Sequence, residues 1–86
     1  MKVGVAGSVE SNDILITVQE SNELLIEITS IVDAFFHDQI EKVIKDTLKE
    51  FNIQNIKVTC QDNGALDYTI KARLVTALTR MEESNA

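Results

Sequence analysis

The sequence has no proline, no tryptophan, one cysteine and one histidine in 86 residues. Without proline there is no proline-rich linker, and no internal repeat or composition shift marks a second unit. One cysteine, Cys60, excludes an internal disulfide. Positive charge is scarce as well: eight Lys and Arg stand against fourteen Asp and Glu, a formal net charge of −6. A nucleic-acid-binding protein normally needs a basic face, so that class is excluded. The apolar runs fall far short of the ~20 residues that cross a bilayer. The chain does not open on the charged, apolar, small-residue pattern of a signal peptide. These absences lead us to expect a cytoplasmic protein without nucleic-acid or membrane partners. The hydrophobic content of 44% is enough to build a core without metal or disulfide, and the length suits one small domain, residues 1–86.

What is present is organised around Val9-Glu10-Ser11-Asn12-Asp13. Apolar alternation runs up to this stretch through Val3, Val5 and Val9 and resumes through Ile14, Ile16 and Val18. Two period-2 segments around a short polar break predict a β-hairpin. Ser, Asn and Asp favour turns through side-chain bonds to the local backbone, and Asn tolerates the left-handed region. Ser11 therefore offers an exposed hydroxyl on a rigid support, flanked by the acidic Glu10 and Asp13.

Taken in order, the first strand spans 2–10 and is irregular near Gly7, and the second spans 13–19. After the polar break 20–23, Leu24, Ile26 and Ile28 mark a third strand, and these three are expected to form an antiparallel meander. The period then changes. Ser30 and Asp33 give a start like a capping box. Val32, Phe35, Phe36, Ile40, Val43, Ile44, Thr47, Leu48 and Phe51 recur at helical steps. Asp33, His37, Glu41, Lys45 and Lys49 occupy the other face, with Glu41 and Lys45 as an i,i+4 pair. Asn52 closes the helix in place of glycine. Ile56, Val58 and Cys60 mark a fourth strand. Asp62-Asn63-Gly64 is a turn from which Asp62 or Asn63 caps a last helix. The buried stripe of that helix is Leu66, Ile70, Leu74, Ala77, Leu78 and Met81, with Asp67 and Lys71 paired outside and a polar end at 82–86. The predicted architecture is α+β in two layers, a four-stranded, mostly antiparallel sheet in the order β-β-β-α-β-α with both helices on one face.

Self-contained chemistry is not visible in the spacing. His37 has no second soft ligand nearby in sequence, so a metal site is not expected. Cys60 continues a strand alternation and reads as a core residue. The carboxylates form no pair singled out by spacing, and there is no glycine-rich phosphate loop. No catalytic residue is assigned.

Two blocks carry a family resemblance. Ala6-Gly7-Ser8-Val9-Glu10-Ser11-Asn12-Asp13 resembles the N-terminal motif of the acyl carrier (gamma) subunits of citrate lyase. Asp62-Asn63-Gly64-Ala65-Leu66-Asp67, followed by Ala72-Arg73-Leu74, is similar to the family's C-terminal signature. The resemblance implies a non-catalytic carrier subunit whose serine holds 2′-(5″-phosphoribosyl)-3′-dephospho-coenzyme A as a phosphodiester. By motif position that serine is Ser11, with Ser8 as the main rival. Asn12 stands where many members have Gly or Ser and adopts similar turn conformations. The implied partners are the alpha (acyl transferase) and beta (citryl lyase) subunits, a prosthetic-group transferase and an acetylating ligase. The implied reaction is cleavage of citrate to oxaloacetate and acetate through thioesters on the arm. The carrier of malonate decarboxylase, with a similar arm, is the alternative within this class. Outside it, the alternative is an acidic interaction module with unmodified Ser11. The net negative charge predicts docking on basic partner surfaces, with Glu10 and Asp13 as the docking residues beside Ser11.

Overall fold

The structure, a computed structural model, describes residues 1–31 and 35–84. Its elements are β1 (Val3–Gly7), β2 (Ile14–Gln19), β3 (Leu24–Ser30), α1 (Phe35–Glu50), β4 (Ile56–Asp62) and α2 (Asp67–Glu83). The expected α+β architecture is present, a four-stranded sheet with one parallel pair and two helices packed on one face. No described helix is long and apolar enough to cross a membrane.

The meander is corrected. The strand order is β1-β2-β4-β3, so β4 lies between β2 and β3. It pairs antiparallel with β2 and parallel with β3. β4 takes the centre because Ile56, Val58 and Cys60 are all fully buried, whereas β3 carries exposed Leu24, Leu25 and Glu27 and sits at an edge. The short 20–23 connection need only span two strand spacings, about 10 Å, within the reach of four extended residues. Residues β3-α1-β4 form the crossover that a parallel pair requires.

On the inner face, Ala6, Ile16, Cys60 and Ile28 stand in one row, and Gly4, Val18, Val58 and Ile26 in the next. This reverses the phase expected for β1. Val3, Val5 and Val9 are exposed, and Gly4 and Ala6 are buried. The cause is the closeness of α2: a Cβ at Gly4 would stand 1.9 Å from the Ala77 carbonyl oxygen. Only the smallest residues fit between strand and helix, so apolar alternation marked the wrong face.

Helix α1 buries Ile40, Ile44, Thr47 and Leu48 against the sheet and α2. Phe36 and Phe51, both expected in this stripe, are about half exposed, at its edges. Val32 and Asp33, and with them the expected helix start, lie outside the described residues; the Ser30 hydroxyl donates to Asp62 (2.9 Å). At the other end Asn52 adopts φ +56 as expected. Its N–H reaches the Lys49 carbonyl (3.1 Å), and Ile53 N–H reaches Leu48 (2.9 Å), a Schellman closure. Glu41 and Lys45 form the expected pair at 3.4 Å.

In α2 the stripe Ile70, Leu74, Ala77, Leu78 and Met81 is buried as expected. Leu66 is not; it is the N-cap residue and is exposed. Neither Asp62 nor Asn63 caps the helix, which has no side-chain cap bond. The Asp62 carboxylate accepts instead from the Ala65 N–H (3.0 Å) and fixes the turn before the helix. Lys71 pairs with Glu50 of α1 (2.9 Å), and Asp67 accepts from Gln39 (2.7 Å). The expected Asp67–Lys71 pair is thus replaced by contacts that join the two helices. Asn85 and Ala86 of the polar end lie outside the described residues.

Candidate functional site

The connection between β1 and β2 is longer and more ordered than a two-residue hairpin loop. β1 ends at Gly7, whose φ of +92 turns the chain out of the strand. A Cβ there would lie 1.8 Å from the Ile14 carbonyl oxygen, so glycine is required. Ser8 N–H then donates to that same carbonyl (3.2 Å). At the tip, Asp13 N–H donates to the Glu10 carbonyl (3.2 Å), closing a four-residue turn over Ser11 and Asn12. Asn12 has φ +64. A left-handed third residue is the mark of a type II turn, and Asn is one of the few side chains that accept it. The turn residue Asn12 thereby does the work that glycine does in such turns.

Both halves of the second sequence block are folded onto this turn. Asn63, the first residue past the central strand, grips it from three sides. Its carbonyl accepts Asn12 N–H (2.8 Å), its N–H donates to the Asp13 carbonyl (2.9 Å), and its side-chain amide donates to the Val9 carbonyl. Arg73 of α2 completes the hold. Its Nε and Nη2 donate to the two oxygens of Asp13 at 3.0 and 3.3 Å, a bidentate pair. The Asp13 carboxylate also accepts from Ser8 Oγ (2.7 Å) and from Ile14 N–H (2.7 Å). In the sequence reading Asn63 is a turn signal, a candidate helix cap and part of the family signature, and Arg73 part of that signature alone; neither is expected to hold the Ser11 turn. Their distance along the chain hides them, and only the common location of the two blocks in the fold exposes them.

This arrangement separates the two serines. Ser8 is half-buried, its hydroxyl donating to Asp13 and accepting the Glu10 N–H (3.2 Å). Ser11 is exposed at the tip, and its hydroxyl makes no hydrogen bond among the described residues. Glu10 is exposed beside it, whereas only 15% of the Asp13 side chain is exposed. The turn thus presents one free hydroxyl with one solvent-facing carboxylate, on a frame tied to the central strand and to α2.

The Arg73 guanidinium, then the Ser8 hydroxyl and the Ile14 N–H, hold the Asp13 carboxyl at a pKa of about 2, below its ordinary 3.8. A carboxyl depressed in the folded state stabilises the fold above its unfolded pKa, and that stabilisation fades as the pH falls through the folded value. The window therefore lies between about pH 4 and pH 2. Because Arg73 is 42% exposed and screened, about 1–2 kcal/mol is expected from this pairing. Asp13→Asn should cost this much at pH 7 in urea melts, and the difference from the parent should close on acidification through that window. A difference that stays constant down to pH 2 would contradict the pairing.

The remaining candidates lie elsewhere. Cys60 is 1% exposed in β4, and burial, aided by the nearby negative Asp62, pushes its thiol up to about 12. Such a thiol is inert as a nucleophile. His37, Asp38 and Glu41 bring ligand atoms within 4.8 Å of one another on the outer side of α1, in a largely solvent-facing cluster far in sequence from the turn.

The acyl carrier (ACP) family model described as Malonate decarboxylase delta subunit (MdcD) matches residues 1–81. The chain is 49% identical over 76 residues to the citrate lyase acyl carrier protein of Halothermothrix orenii, covering 87% of this chain and 81% of that one. It is 50% identical over 80 residues to the citrate lyase acyl carrier protein of Oenococcus oeni, covering 92% and 82%. Among solved structures it resembles a chain of a Pseudomonas malonate decarboxylase hetero-tetramer in complex with malonate. The TM-score is 0.75 over 95% of this chain and 82% of that chain, at 17% identity, a likeness of fold.

Proposed function

The chain belongs to the family of citrate lyase acyl carrier proteins, and we propose on that premise that Ser11 is the residue that carries its prosthetic group. The protein is a carrier without catalysis of its own. The observation that supports Ser11 over Ser8 is the state of the two hydroxyls. Loading Ser8 would remove the hydrogen it donates to Asp13 and set a phosphate against that carboxylate, whereas loading Ser11 breaks no bond.

The group is 2′-(5″-phosphoribosyl)-3′-dephospho-coenzyme A, joined as a phosphodiester to Ser11 Oγ. The site fits it in that an exposed, unbonded hydroxyl at a turn tip admits a bulky phosphate without displacing packed side chains. Bound there, the group supplies a thiol that carries acyl groups as thioesters. This chain's own residues hold the base of the arm: Asn63 and Arg73 keep the turn in place, so motion is confined to the arm. Tethering raises the local concentration of the acyl group at each partner by confining it within the arm's reach.

The partners are the acyl transferase and lyase subunits of citrate lyase, the prosthetic-group transferase and the acetylating ligase, in the cytoplasm. We assign charge-guided docking to Glu10, the outward carboxylate of the turn, and give Asp13 a positioning role through Arg73. Citrate is preferred over malonate because the sequence relatives near half identity are citrate lyase carriers. Loaded protein should restore citrate-dependent oxaloacetate formation to a citrate lyase depleted of its carrier subunit. It should leave a carrier-depleted malonate decarboxylase inactive. Restoration of malonate decarboxylation alone would overturn the citrate assignment.

A further inference from the structure

A groove of about 340 Å³ opens beside the Ser11 turn, where the first turns of α1 and α2 meet the end of β4. Asn12, the neighbour of Ser11, forms its near wall, and Phe36, Gln39, Ala65, Leu66 and Asp67 line the rest. Two features of its lining bear on what it could bind. Phe36 and Leu66 are 48% and 59% exposed although both lie next to the core residues Ile40 and Ile70. Among the described residues the polar lining is also one-sided: two amides, the carboxylates of Asp62 and Asp67, and no Lys or Arg. Gln39 already gives one amide hydrogen to Asp67 (2.7 Å), which fixes that wall.

We propose that this groove binds the adenine ring of the arm on Ser11. The inference rests on the attachment reading and adds a second, noncovalent anchor to it. A flat, neutral, aromatic base suits an exposed phenyl ring, since bases stack on aromatic side chains irrespective of sequence. Adenine presents an amine donor beside a ring-nitrogen acceptor, the pattern that Asn and Gln amides match in two bonds. The acidic lining disfavours the phosphates of the arm and accepts an amine. Along the arm the adenine-bearing ribose follows directly on the phosphoribosyl unit attached to Ser11, while the pyrophosphate and the thiol-bearing end lie beyond it. Seating the base pins the near half of the arm, sets the pivot from which the thiol end swings, and covers the exposed apolar pair.

A second hollow on the other side of the turn, lined by Val9, Thr29, Ile31 and Gln61 among others, has no aromatic ring among its described residues and is the competing location. The test uses the loaded protein, with loading on Ser11 first established by intact mass and peptide mapping. NOEs from adenine H2 and H8 to Phe36 ring and Leu66 methyl protons are expected, with both base protons shifted upfield by the ring current. In Phe36→Ala the mass should be unchanged, the amide spectrum should stay folded, and the upfield shift should vanish. Correct mass on Ser11 with base protons as sharp and unshifted as in free dephospho-coenzyme A would overturn the groove and leave the attachment reading intact. NOEs to Val9 and Ile31 instead would overturn it equally. Should Ser11 prove unloaded, the attachment reading fails by itself, and adenosine titrated into the arm-free protein decides the groove. Amide shifts confined to Asn12, Phe36, Gln39 and Leu66, and lost in Phe36→Ala, support it; their absence overturns it.

Discussion

Gly4→Ala should destabilise this protein by about 3 kcal/mol or more, a severe loss against a total on the order of 5–10 kcal/mol. The added methyl carbon would stand 1.9 Å from the Ala77 carbonyl oxygen and 2.6 Å from the Met81 nitrogen. Both are backbone atoms of α2 and neither can rotate away. The helix must lift from β1, and Ala77 and Met81, buried at 0% and 8% exposure, lose their seat. Val5→Ala, one residue along the same strand, should cost under about 1 kcal/mol, because Val5 is 43% exposed on the open face. Urea midpoints of the two variants measure the contrast. The valine alternation of the sequence ranks them the other way, and a larger loss in Val5→Ala would restore that reading.

The strand that misleads is instructive about what a sequence discloses. In β2 and β4 the large apolar residues Ile14, Ile16, Val18, Ile56 and Val58 mark the core face correctly, because the alternate positions there are mostly polar: Thr17, Gln19, Lys57, Thr59 and Gln61. In β1 the tight approach of α2 inverts the rule: the buried positions are the smallest residues, which carry no hydrophobic signal. The helices are legible in their centres, where Ile44, Leu48, Leu74 and Ala77 are buried on the expected stripe. At their ends the stripe overreaches, taking in Phe36, Phe51 and Leu66, which lie beyond the area the sheet covers. The meander fails for a different reason. A short polar break fixes the relative direction of β2 and β3 but not whether a later strand comes between them, and β4 does.

The turn itself was legible from Glu10-Ser11-Asn12-Asp13, and the left-handed Asn12 bears out the turn chemistry. What holds the turn was not. Asn63 binds Val9, 54 residues away, and Arg73 binds Asp13, 60 residues away. No local pattern encodes such a contact. Both sequence blocks of the family resemblance meet at this one place, which gives a physical reason for a motif split across the chain: one half forms the turn and the other holds it still. Of the two acidic residues expected beside Ser11, Asp13 is turned inward by the same contacts and Glu10 faces solvent.

Attachment at Ser11 is the claim on which the carrier account depends, and the mass of the protein produced together with its modifying transferase tests it most directly. The parent should be heavier by one phosphoribosyl-dephospho-coenzyme A unit, with the added mass on the peptide that contains Ser11. Ser11→Ala should show no increase at all, since the acceptor oxygen is gone. Ser8→Ala loses a hydrogen bond to Asp13, so its turn is looser and its loading slower, but the full increase should still be reached. Loading that survives Ser11→Ala and disappears in Ser8→Ala would contradict the account.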